Sequence, residues 1–173
     1  MALEVRPIFG AFNGLATKLA EIRANYRRAV LQHPQVRGWA EASAGRGGRR
    51  IQAERLFENL RRAVNFVGDP CGFRFQGRAV GLEYIKKPWE MISEIKSRGF
   101  SAGDCDDQAG LSYALLNSIG IPAGLRVVWR GGDMPSHVYA LAYVDGSWLA
   151  YDTTGASMGQ EIDGITRRLD FYT

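Results

Sequence analysis

The sequence predicts an α+β domain in which helices come first and a small antiparallel sheet follows. Three observations carry this expectation. Apolar residues recur at three- and four-residue spacing over 12–32 and again over 51–67. A third apolar helix pattern, residues 105–118, is bounded by Asp104 and by Gly120 with Pro122. Two strand-like runs, HVYALAYV and WLAYDTT, then flank Asp145-Gly146, a strong short-range hairpin signal.

The elements follow in order. Phe12, Leu15, Leu19, Ile22, Tyr26 and Val30 form one stripe of a helix expected to end before Pro34, with a basic opposite face. A Gly/Arg-rich stretch, 45–50, leads into a second helix expected from Ile51 to Val67 on the stripe Leu56, Leu60, Val64 and Val67. The chain next switches to turns and short extended pieces until Pro88. That proline opens a short helix through Ile95, with Trp89, Ile92 and Ile95 facing inward. Ala109, Leu111, Leu115, Leu116 and Ile119 support the helix over 105–118, and LRVVWR is a strand before the hairpin. A two-residue turn at Asp145-Gly146 sets His137 opposite Thr154 and Tyr139 opposite Asp152. His137 and Asp152 then share one face as a diagonal pair.

A chain of 173 residues with 46% apolar content suits one globular domain. No apolar run approaches the roughly 20 residues needed to cross a bilayer. The start, MALEVRPIFGAFNG, has no basic region followed by an apolar core and a cleavage site, so no signal peptide is expected. Residues 1–62 carry 12 Lys or Arg against 5 Asp or Glu, whereas 63–173 carry 10 against 13. A nucleic acid or acidic surface would therefore meet the N-terminal third, where Arg46, Arg49 and Arg50 are densest. No aromatic residue is interleaved there for base stacking, and a solvated loop accounts for the same pattern. The two cysteines, Cys71 and Cys105, cannot build a disulfide scaffold and are expected as thiols. Cys71, beside Pro70 and Gly72 and far in sequence from any histidine, is expected to be structural.

Cys105 stands among Asp104, Asp106 and Asp107. With Asp104 as N-cap and Asp107 as third helical residue, the aspartates occupy capping positions and the thiol falls in the first turn, where unpaired N–H groups favour a thiolate. Cys105 as nucleophile, His137 as base and Asp152 as the carboxylate orienting it would supply every side-chain role of acyl transfer. The Cys105 backbone N–H is a candidate oxyanion donor, with the Trp89 indole as a second. Three alternatives stay open from spacing alone: a buried helix thiol, a satisfied strand histidine and a turn-forming aspartate. A mixed metal centre is not specified by any close ligand pair.

The segments GDCDDQAGLSYALLNSIGIPAG, HVYALAYVDGSW and YDTT together resemble the transglutaminase-like superfamily of papain-type cysteine enzymes. The resemblance covers roughly residues 60–155. It implies a transglutaminase-like core, with Cys105, His137 and Asp152 at the nucleophile, base and orienting-acid positions. NFVGDP, KKPWEMI and GDCDD are similar to small members encoded in tailed phages and prophages. The resemblance implies a cysteine-dependent hydrolase or acyltransferase acting on protein or peptide amides through a thioester, with no cofactor or metal and no calcium loop. The competing expectation is a weakly active or non-catalytic virion-associated binding protein on the same scaffold. Residues 1–50 are expected to form a basic helical extension and 51–173 the catalytic core. The expected partners are a protein or peptide substrate and a phage virion or host protein, with nucleic acid a weaker candidate. The expected location is the cytoplasm, or association with a virion.

Overall fold

The computed structural model describes residues 11–68, 74–75, 78–79 and 85–172, with side chains over 19–68 and 85–172. Helix α1 (Ala11–Gln32) ends just before His33 and Pro34, as its periodicity predicts. A helix that the sequence did not announce follows, α2 (Pro34–Ala44), with Pro34 at its first turn. Its buried face is Val36, Ala40 and Ala44, side chains too small to give a strong apolar period. Helix α3 (Arg49–Ala63) buries Ala53, Leu56, Phe57 and Leu60.

The helix expected to reach Val67 stops at Ala63. Residues Val64–Phe66 instead form β1, which pairs in parallel with β4 (Ser101–Gly103). Leu56, Leu60 and Val64 keep helical spacing, but the backbone of 64–66 finds partners 37 residues away in register, Val64 with Ser101. Tertiary pairing overrides local pattern here. Short strands β2 (Arg74–Phe75) and β3 (Arg78–Ala79) pair antiparallel, and Cys71 lies outside the described residues. Helix α4 (Pro88–Arg98) runs one turn beyond Ile95 and closes at Gly99, whose φ of 84° suits glycine and whose N–H reaches Ile95 O at 2.9 Å.

Helix α5 (Cys105–Ser118) has the predicted bounds and precedes strands β5 (Ala123–Trp129), β6 (His137–Val144), β7 (Ser147–Tyr151) and β8 (Arg167–Tyr172). These four form one sheet in the order β7-β6-β5-β8, antiparallel throughout. The β6–β7 turn places Asp145 and Gly146 at φ 52° and 78°, the positive angles of a type I′ hairpin. Val144 pairs with Ser147 and Ala140 with Tyr151, the register read from the turn. β8 was not anticipated from the sequence.

Alternation splits the sheet into two faces. Leu125, Val127, Val138, Ala140, Ala142 and Tyr151 join the main core, shared with α1 to α5, while Val128, Tyr139, Leu141 and Ala150 pack on the other side under Ile162 and Ile165. The core helix is α5, which packs on α1, α2, α4 and β6 and is buried on nearly every face. Tyr26 of α1 meets Tyr113 of α5 edge to face, with centroids 5.1 Å apart.

Candidate active site

The start of α5 is built by its aspartates. Asp104 caps the helix, its Oδ1 accepting the Asp106 N–H at 3.2 Å, while Asp107 Oδ2 accepts the Asp104 N–H at 3.1 Å. This is the expected capping box. The second Asp107 oxygen accepts the Lys86 N–H at 2.6 Å, so that carboxylate is committed to backbone donors on both sides. Gly103 makes the fold-back possible, because a Cβ there would lie 2.6 Å from the Asp107 side chain. Asp104, Asp106 and Asp107 each bring a carboxylate oxygen within 4.8 Å of the others, with two of the three engaged in capping.

Cys105 is the first residue of α5, half-buried and outside any disulfide. Its position in the first turn exposes it to the positive end of the helix dipole, which lowers the cost of a thiolate.

His137 opens β6, and its Nε2 lies 2.7 Å from Asp152 Oδ2. The diagonal pair inferred from hairpin register is therefore in contact. Asp152 is 2% exposed, and its other oxygen accepts both the Thr154 N–H at 3.0 Å and the Thr154 hydroxyl at 2.7 Å. Burial alone would raise the Asp152 carboxyl, but the bond and charge of His137 together with the Thr154 donors outweigh it and hold the group below its ordinary value. Thr154 Oγ1 also lies 3.4 Å from His137 Nε2, so the described contacts of this imidazole gather on one nitrogen.

The turn after β7 has a second attachment. The Thr153 hydroxyl donates to Gln108 Oε1 at 2.9 Å, and Gln108 Nε2 donates to Gly103 O at 3.3 Å. One three-residue turn, 152–154, thus holds β6 through His137 and the first turn of α5 through Gln108. Sequence reasoning missed Gln108 and Thr153. The available signal was weak: a hydroxyl pair after an aspartate marks a side-chain-supported turn, but nothing in sequence names its distant acceptor.

Trp89 packs against the main core and stacks on His33, with ring centroids 4.2 Å apart and planes 9° from parallel. Its described contact is with the junction of α1 and α2. Arg46, Arg49 and Arg50 are exposed around the start of α3, where Arg50 is bonded to Glu54 at 2.9 Å and reaches Asp145 at 3.4 Å.

A family model of the transglutaminase-like superfamily matches residues 48–153. The match spans Cys105, His137 and Asp152, and the chain belongs to this superfamily. Among solved structures, a candidate protease from Parabacteroides distasonis is similar with a TM-score of 0.53 and 15% identity, over 77% of this chain and 25% of that one. A candidate cysteine protease from Cytophaga hutchinsonii is similar with a TM-score of 0.45 and 18% identity, over 81% of this chain and 47% of that one. The first likeness is one of fold, and the chain spans less than half the length of either protein. No curated protein matches the chain. No described helix is long and apolar enough to cross a membrane.

Proposed function

We propose that the protein is a cysteine-dependent amide hydrolase, with Cys105 as nucleophile, His137 as general base and acid, and Asp152 as the carboxylate that orients the imidazole. The observation that carries this reading is the 2.7 Å contact between His137 Nε2 and the buried Asp152. With Nε2 held by the carboxylate, Nδ1 is the nitrogen that exchanges the proton. It takes the Cys105 proton as sulfur attacks the carbonyl carbon of a protein or peptide amide. The C–N bond breaks, the leaving amine takes that proton, and a thioester remains. Water then adds to the thioester, giving its proton to His137, and releases the acid and the thiol. The Cys105 backbone N–H is the first oxyanion donor in this reading and the Trp89 indole N–H the second candidate.

An amine in place of water would give transamidation. Hydrolysis is favoured because cross-linking needs a site that holds an amine while limiting water. Residues 51–173 form the catalytic core in this reading and 1–50 its basic helical extension, a division supported by the family match beginning at residue 48. A phage or prophage setting rests on sequence resemblance alone.

Intact-mass analysis of a glutamine-containing peptide library, with and without a primary amine, tests the reaction against Cys105→Ala. Cleaved peptides identify a protease, a gain of about 1 Da a deamidase, and an amine adduct a transamidase. A product pattern identical in wild type and Cys105→Ala would remove the nucleophile.

A further inference from the structure

We propose that Gln108 and Thr153 are positioning residues that set the separation between the Cys105 thiol and the His137 imidazole. The proposal rests on the nucleophile reading above and adds to it a strut between two elements that are distant in sequence. Gln108 lies three residues after Cys105, close to one full helical turn, and therefore on the same side of α5. Its amide faces two ways. Oε1 accepts the Thr153 hydroxyl at 2.9 Å, and Nε2 donates to the carbonyl of Gly103 at 3.3 Å, two residues before the cysteine.

Thr153 in turn adjoins Asp152, which holds His137 at 2.7 Å. A closed circuit results: thiol, first turn of α5, amide, hydroxyl, carboxylate, imidazole. Gln108 is 3% exposed and Thr153 8%, so their bond sits away from competing water and each would leave a costly orphan if the other were removed. An amide suits this place because it accepts and donates at once. A glutamate could accept from Thr153 but not donate to Gly103, and would add a charge one turn from a developing thiolate. Thr154, the neighbouring hydroxyl, does a different task by bonding only within the turn and to His137.

A purely structural bond would affect melting temperature alone, whereas a strut governs how well imidazole and thiol share a proton. The test is alkylation of the full chain by iodoacetamide from about pH 5 to about pH 9, read at Cys105 by peptide mass, beside a thermal melt. Wild type should show a reactive limb below about pH 7 that His137→Ala abolishes. Thr153→Val, which removes the hydroxyl at nearly constant volume, should lower that limb by roughly ten- to a hundredfold while the protein stays folded. Thr153→Ser should restore it to within about threefold, because the donor returns. If the valine variant does not fold, Thr153→Ala removes the same hydroxyl and gives the same comparison. Absence of a His137-dependent limb in wild type overturns the nucleophile reading and the strut with it. A limb present in wild type and intact in the folded hydroxyl-less variant overturns the strut alone.

Discussion

Two charged clusters occupy the face of the sheet on which His137 and Tyr139 lie, and they are built on opposite principles. In the first, His137 meets one carboxylate through one nitrogen. In the second, Arg126 forms a bidentate pair with Asp170 at 2.6 Å for both bonds, and Glu161 joins it, also accepting the Tyr139 hydroxyl. Arg126 is 7% exposed, and its charge is held strongly by Asp170, against the cost of burial. The Arg126 cluster pins β8 and the 153–166 segment to the sheet. Saturation by several partners makes a cluster structural, whereas a titratable group with a single firm anchor can still exchange a proton. The rings of His137 and Tyr139 lie 5.6 Å apart, so both principles operate within adjacent side chains.

The largest expected effect falls on the lightly anchored cluster. Asp152→Asn should slow acyl transfer by about 10- to 10⁴-fold with most substrate binding retained, as measured by single-turnover kinetics. Undiminished turnover in that folded variant would end the orienting role. Breaking the saturated cluster should instead damage stability: Arg126→Met strands two carboxylates, and because Glu161 and Asp170 keep partial solvent access, a loss of about 1–3 kcal/mol is expected in urea unfolding. A normal unfolding midpoint for Arg126→Met would show that the network is ornamental.

Acid sharpens the same contrast. The hydrogen bond and charge of Arg126 keep the Asp170 carboxyl below its unfolded value, even against desolvation. A depressed folded pKa contributes stability that is complete above the unfolded value, about 3.9, and that disappears as pH falls through the folded one. Wild type should therefore lose stability steadily below about pH 4, with a shallower pH slope in Asp170→Asn, measured by chemical denaturation at successive pH values. The smallest effect belongs to Tyr139→Phe, which removes one hydroxyl from a carboxylate that keeps Arg126. A cost of about 0.5–1.5 kcal/mol is expected, visible as a small shift in urea midpoint.

What could be read from sequence divides along a physical line. Asp104 and Asp107 announce a helix start because capping is local, and Asp145-Gly146 announces both a turn and a register because the type I′ geometry needs those residues. From that register alone the His137–Asp152 contact follows. Elements held by distant partners were not legible. β8 carries Arg167, Arg168 and Asp170, which read as a charged tail until Arg126 supplies the counter-charge from β5. The bond between Gln108 and Thr153 joins residues 45 apart, and neither identity specifies the other. α2 hides for a further reason: its buried contacts are mostly alanine, so close helix packing replaces the large apolar side chains that periodicity detects.

The two-residue hairpin also constrains how this stretch of gene can change length. Successive strand residues point to opposite faces, so a single-residue insertion or deletion between Gly146 and Asp152 would turn the aspartate away from His137, and an in-frame change of two residues would restore its side of the sheet. The site is thus protected by parity. Single-codon length changes in β7 should be purged while paired ones persist, leaving an even-numbered signature in the lengths of functional variants.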